Sequence, residues 1–400
     1  MNKIKKQQNE IMKRIFAFFI LFIMLLADLN AQGIMVDAKI VDAETHEALP
    51  NASVSIDSDK SFIANADGEF CIKADSADVL TVSYVGYKTV RVRAEKVGSV
   101  IRLSPYAIEL SDVNVLPLKS IIGKITSRLN AEFAKNKKQE SNFYYRQTTQ
   151  SNGECNEYIE AVLNGYSEIA LRRPSIVAGR YGALKGTDEK KYSSLKNFHN
   201  HSCVSPYASY KRKKEQVRYP IMPGSEKLYQ TDYDILTDKA NGNVIYRISF
   251  TPNPKVKVPI VKCVIYVDAD SYKILKYEGE ILHNYVFVAT KKKQFPMQSS
   301  FSVTYTYNRG FMEVQSVASK MAYSCLGISV TGKSTLVNIG KKYYNGKKKL
   351  SSHSDLLSKI SSAGYDAKFW NDNTEIKRTP MEEQVVRMFE KDNVFSNMTE

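Results

Sequence analysis

The sequence has few of the residues that most often carry chemistry. Among 400 residues there are five histidines, five cysteines and one tryptophan. No H-x-x-E, H-E-x-x-H or G-x-S-x-G string occurs, so the usual metallopeptidase and serine-hydrolase signatures have nothing to build on. Cys71, Cys155, Cys203, Cys263 and Cys325 are scattered and odd in number, which excludes a dense disulfide scaffold and leaves one or two bridges open. Long apolar runs are missing too. The run Ile15 to Leu26 covers twelve residues, short of the roughly 20 that a helix needs to cross a bilayer.

That short run has a recognisable setting. Lys3, Lys5, Lys6, Lys13 and Arg14 precede it, and Leu29-Asn30-Ala31 places a small residue just before Gln32. Basic, apolar and small residues in this order are those of a secretory signal peptide, so residues 1–31 are expected to be a leader and the chain to be exported. An uncleaved anchor is the alternative, although extending the run would have to carry Asp28 and Asn30. Met12 also begins a complete signal. No cysteine stands at the cleavage position, which excludes a lipid-modified amino-terminal Cys. The whole chain carries a formal net charge of +15. On a cytosolic protein that excess would point to nucleic acid. Export argues against nucleic acid and leaves an envelope component or an anionic glycan or lipid surface as the partner class, beside a merely solvated basic surface.

What is abundant is tyrosine, 25 residues, which favours half-buried pleated surfaces. From Gly33 onward, short alternating runs are broken by turn residues. The expected strands are Met35–Val41, Ser53–Ile56, Phe62–Ala64, Phe70–Lys73, Val79–Tyr84, Thr89–Arg93 and Val100–Leu103. Seven short strands at this spacing read as an antiparallel sandwich. Asp67-Gly68 supplies a hairpin turn, and Gly86 between Val85 and Tyr87 suits a turn with positive φ. The ordered strings Lys39-Ile40-Val41-Asp42, Leu49-Pro50-Asn51-Ala52-Ser53-Val54, Asp67-Gly68-Glu69-Phe70 and Leu80 to Tyr87, closed by Glu109 to Val115, resemble the carboxypeptidase-regulatory-like domain. The resemblance implies a transthyretin-like, immunoglobulin-like β-sandwich at residues 33–116, an accessory module and not a peptidase. Such modules recur in exported envelope proteins, including the amino-terminal extensions of TonB-dependent receptors. That implies the periplasm or the outer membrane or cell surface of a Gram-negative bacterium. The whole chain resembles exported envelope proteins bearing this module, which brings a fold and an address but no activity.

After Pro117 the period changes. Ile121, Ile125, Leu129 and Phe133 lie four apart, with Ile122 beside them, as on an amphipathic helix linking two domains over 118–137. An antiparallel β domain is expected over 141–345, with a poorly periodic insertion at 173–235 and an Asn152-Gly153 hairpin turn. Within it, Met312–Val317 and Met321–Ser324 read as separate strands. The stretch Val244 to Tyr277 resembles the sheet of lipoprotein-carrier-like envelope proteins. A partly helical tail, with a helix near Met381–Glu390, fills 346–400. The fold class is therefore mainly β: a sandwich, a linking helix, a larger antiparallel sheet and a short carboxy-terminal helix.

Three motifs could carry chemistry. Gly327 to Ser334 fits the phosphate-loop string G-x-x-x-x-G-K-[ST], but Ile328 and Val330 alternate as in a strand and no helix pattern follows. A strand-turn-strand is expected there, with no nucleotide. His199, His201 and Cys203 alternate as a possible metal triad, without a fourth ligand near in sequence. The basic runs Lys211–Lys214, Lys291–Lys293 and Lys347–Lys349 read as hairpin tips or as an anionic-surface patch. No catalytic residue or cofactor is assigned. The expected role is non-catalytic binding or structural support in the envelope. The alternatives are a lipid-like ligand carrier with a half-open β barrel and an envelope hydrolase using dispersed carboxylates. The leader is directly testable: amino-terminal sequencing of the exported form should begin at or near Gln32, and an intact Ile15–Leu26 segment would refute cleavage.

Overall fold

The computed structural model describes residues 33–395 apart from 57–59, 110–115, 135–138, 168, 185–204, 209–215, 289–292, 309, 326, 341–347, 350–352, 363 and 373–374. Seven strands form the amino-terminal module: β1 (Ile34–Asp42), β2 (Ser53–Ile56), β3 (Lys60–Ile63), β4 (Glu69–Ala74), β5 (Val79–Ser83), β6 (Val90–Arg93) and β7 (Val100–Leu103). They make two sheets, ordered β4-β1-β7 and β3-β2-β5-β6. Inward residues of both, among them Ile40, Val54, Phe70, Leu80, Val82 and Leu103, meet in one core. The sandwich is not wholly antiparallel, because β1 and β7 run parallel from Lys39 opposite Val100 to Asp42 opposite Leu103. These strands are joined through the other sheet and not by a hairpin, so no local turn signal could set their direction. Gly86 has φ +87°, which a β-branched residue would not tolerate.

The rest of the chain begins with β8 (Ala107–Glu109) and helix α1 (Leu118–Ala134). Long strands follow: β9 (Gln139–Ser151), β10 (Glu154–Ser167), β11 (Leu171–Ala183), β12 (Tyr229–Asp238), β13 (Asn243–Pro252), β14 (Ile260–Asp268) and β15 (Ile274–Leu282). Then come β16 (Tyr285–Val288), β17 (Lys293–Asn308), β18 (Phe311–Cys325), β19 (Ile328–Gly340) and β20 (Lys348–Lys349), and helices α2 (His353–Ser361), α3 (Ala367–Asp372) and α4 (Pro380–Lys391). The sheet order is β20-β11-β10-β9-β19-β18-β17-β15-β14-β13-β12-β8, with β16 paired to β17. Antiparallel pairing of β19 with β9 joins the β9–β11 hairpins to the β12–β19 meander. Asn152 and Gly153, at φ 53° and 88°, make the tight β9–β10 turn.

Each face of this sheet has its own cover. On one, Ile121, Ile125 and Leu129 of α1 share a core with Phe143, Ile159, Ile248, Ile265, Val303 and Leu336. On the other, Tyr144, Val162 and Val337 pack with Trp370, Ile376 and Ile63 of the first module. The helix period thus places a four-apart apolar stripe against one sheet face.

Two expectations are corrected. The stretch 173–235 is not one insertion: strand β11 runs to Ala183 and β12 starts at Tyr229. Its apolar alternation is weak because close neighbours demand small residues. A side chain at Gly179 would run into Ile360 of α2, and one at Gly182 into Phe389 of α4. Likewise Met312–Val317 and Met321–Ser324 belong to one strand, since Ser319 and Lys320 keep register with Phe301 and Ser300 on one side and Ser334 and Lys333 on the other. Gly179→Val should therefore cost about 1–3 kcal/mol through overpacking against Ile360, read as a lowered midpoint in urea. An unchanged midpoint would contradict this packing.

Candidate functional site

Helix α1 carries a second stripe beside its core-facing one. Leu118, Ile122, Thr126 and Asn130, four apart, look into a groove completed by Tyr207, Ile221, Met222, Tyr229 and Phe250. The groove has a volume of about 660 Å³, and Lys119 and Glu226 stand among its lining residues. Polar contacts pin the helix above the sheet. Lys124 Nζ donates to the Tyr272 hydroxyl at 2.9 Å, and the Met312 amide donates to Glu132 Oε2 at 3.3 Å. Tyr207 donates its hydroxyl hydrogen to Asn130 Oδ1 across the groove. The groove is apolar on its floor, where Met222, Tyr229 and Phe250 are buried, and along α1 the lining passes from Leu118 and Ile122 to the polar Thr126 and Asn130. It can take an elongated apolar molecule, with hydrogen-bonding groups at one side.

On the opposite face lies a buried charge cluster. Glu160, fully buried on β10, accepts from Arg180 Nε at 2.7 Å, Arg146 Nε at 3.2 Å and Arg378 Nε at 3.4 Å, and from the Tyr144 hydroxyl. Burial by itself would raise its pKa. Arg180, then Arg378 and Arg146, outweigh burial and hold the carboxyl well below the usual carboxylate range. The arginines have further partners: Arg146 meets Glu382 at 3.1 Å, Arg180 meets Glu390 at 2.7 Å, and Arg378 meets Glu383 at 3.4 Å. Trp370 and Phe395 each stand 5.0 Å from the Arg180 guanidinium. A carboxylate so enclosed is fixed in its charged form and is a poor acid or base at neutral pH. It fastens α4 to the sheet.

The motifs read from sequence fall elsewhere. Ile328 to Ser334 lie inside β19, paired to β18 on one side and, from Val330 onward, to β9 on the other. Their backbone amides are engaged in the sheet and do not form a phosphate cradle. His199, His201 and Cys203, with Lys211–Lys214, lie outside the described residues, as does the leader. Of the other basic runs, Lys293 opens β17 and Lys348–Lys349 make β20, while Lys291, Lys292 and Lys347 lie outside the described residues. Among the described residues no group of His, Cys, Asp and Glu could hold a metal ion, and Cys71, Cys155, Cys263 and Cys325 are unpaired. Among them also, no helix is long and apolar enough to cross a membrane, which says nothing of strands in a barrel. The groove itself was not foreseen. Its sequence signal is faint: a second apolar register on α1, Leu118 and Ile122, beside the stripe that fills the core.

Comparison with known proteins bears on the sandwich. Residues 37–115 match the CarboxypepD_reg-like domain. This module therefore supplies β8, whose Ala107 to Glu109 pair with Thr237 to Ile235 at the edge of the larger sheet. It is tied there by Lys276, which donates to the Tyr84 hydroxyl at 3.0 Å and lies 4.5 Å from that ring. Lys377, next to Arg378, reaches Asp37 of the module at 2.7 Å. No curated protein matches the chain. A solved DUF1329 family protein from Desulfovibrio piger matches over 56% of this chain and 94% of its own, at 11% identity and a TM-score of 0.21.

The charge cluster predicts a pH dependence. Glu160 has its pKa depressed on folding, so its stabilisation is full above the unfolded value of about 4.3 and fades as pH falls below it, by about 1.4 kcal/mol per pH unit. Glu160→Gln should cost about 3–5 kcal/mol near neutral pH by removing the buried counter-ion that the three arginines share. The gap between wild type and variant in thermal melts should narrow below that pH. A gap independent of pH would show that Glu160 is not the ion that the arginines hold.

Proposed function

We propose that the protein is an exported cell-envelope binding protein that holds a lipid-like apolar ligand between helix α1 and the large sheet. The observation that carries this reading is the 660 Å³ groove, whose size falls in the range of small-molecule sites and whose floor is Met222, Tyr229 and Phe250. The apolar floor, with Leu118 and Ile122, takes an acyl-like chain, and Thr126 and Asn130 take a more hydrated end. The basic leader and the short apolar run support export. The CarboxypepD_reg-like module serves as a platform in this reading, since it joins the large sheet at its β8 edge and on the face away from the groove. The hydrolase alternative is weakened at Glu160, the most deeply buried carboxylate of the sheet, whose charge is committed to three arginines.

The test is direct titration of the purified protein with a dansyl-labelled undecanoic acid. Saturable binding with a blue-shifted emission is expected. Ile122 is half-buried and faces the groove, so Ile122→Trp should fill it and weaken binding at least about tenfold, which is roughly 1.4 kcal/mol. The variant's melting curve reports whether its fold is kept. Equal binding by wild type and variant, or none by wild type, would overturn the assignment.

A further inference from the structure

A second cleft, of about 410 Å³, opens where the first module, strands β9 and β19 and the start of α4 meet. We propose that it binds a short zwitterionic peptide. The strand register lays out its floor: Thr148 stands opposite Lys333 and Arg146 opposite Thr335, on the face that α4 covers. The module's Asn65–Asp67 turn forms one wall, and residues 376–382 form the other.

Most of the charge around this cleft is already committed. Arg146 is held by Glu160 and Glu382, and Glu382 also closes the capping box with Thr379, which occupies the Thr379 and Glu382 amides. Asn65 Oδ1 accepts from the Asp67 and Glu69 amides. The side chains of Lys333, Thr148, Gln150 and Thr335, and the Asp67 carboxylate, have no hydrogen bond or ion pair among the described residues. Thr148, only 3% exposed, lies at the bottom of the cleft.

These remaining groups define the ligand. One free cation on the floor and one free anion on the rim are joined by neutral donors and acceptors. A polyphosphate would meet Asp67 and Glu382 as like charges. A neutral sugar would leave Lys333 and Asp67 both unpaired, and among the described residues no aromatic ring lines the cleft for it to stack on. A free peptide satisfies both ends: its carboxylate pairs with Lys333, its ammonium with Asp67, and its amide with Gln150 and Thr148. This site is separate from the apolar groove, and its success or failure is independent of that reading.

Calorimetric titration of the full chain with dialanine tests the proposal, using N-acetyl-dialanine and dialanine amide as capped probes and inorganic phosphate and maltose as controls. Dialanine should bind saturably, and either cap should weaken binding at least about tenfold through the loss of one charge pair. Lys333→Met should abolish the penalty for the amide, and Asp67→Asn the penalty for the acetyl cap. Both residues are exposed, so the melting curves should be unchanged. No saturable binding of dialanine, equal binding of the capped probes, or Lys333-dependent binding of phosphate or maltose instead would each overturn it.

Discussion

Everything behind the large sheet depends on one buried carboxylate. Glu160 is surrounded by Arg146 from β9, Arg180 from β11 and Arg378 from the segment leading into α4. Desolvating so many charges is costly, and a close-packed apolar cluster of the same volume could match it in stability. What the ionic cluster adds is location. Each arginine is pulled inward by Glu160 and outward by an acid of α4, at Glu382, Glu383 or Glu390, so the helix can dock in one place. Lys377 continues the chain to Asp37 and Glu69, so the same segment that reaches the buried carboxylate also grips the CarboxypepD_reg-like module.

With that face closed, the other face is left for α1. The two covers obey different chemistry. Helix α4 is set by charge and by its capping box as well as by Val385, Val386 and Phe389, which pack with Tyr158 and Phe395. Helix α1 is set by Ile121, Ile125 and Leu129 in an apolar core, with polar contacts at Lys124 and Glu132. The groove lies at the margin of this core, where Leu118 and Ile122, only partly buried, stand over Met222 and Phe250. In the proposed reading that space is the ligand site.

How much of this could be read from the residues differs by region. In the sandwich, local signals agree with the fold: the Ser53–Ile56 and Val100–Leu103 strands, the Asp67-Gly68 turn with Gly68 at φ +75° and the Gly86 turn all lie where alternation and turn chemistry place them. The helix was equally legible, because its period had no competitor. The parallel β1–β7 pair was not, since direction across a crossover leaves no local trace. Strand β11 is hard to read from sequence because Gly179, Arg180 and Gly182 answer to Ile360, Glu160 and Phe389 on other elements. Glu160 did leave one clue, a carboxylate amid Tyr158, Ile159, Ala161 and Val162. A charge within a buried strand must have partners, yet nothing local says that they stand at 146, 180 and 378.

Strand β9 shows why the two proposed sites cannot be exchanged. Its Phe143 and Tyr145 enter the core beneath α1, while Tyr144, Arg146, Thr148 and Gln150 look toward α4 and the module. Alternation with a period of two assigns every residue to one face, so a slip of one position would push Arg146 into the apolar core and expose Tyr145 to Glu160. The side chain of Arg146 is 5% exposed and pairs with that carboxylate, so such a slip would bury a charge without its partner. The ion cluster therefore fixes the register of the central strands as well as the position of α4. Through that register it keeps the apolar groove on one face and the polar cleft on the other.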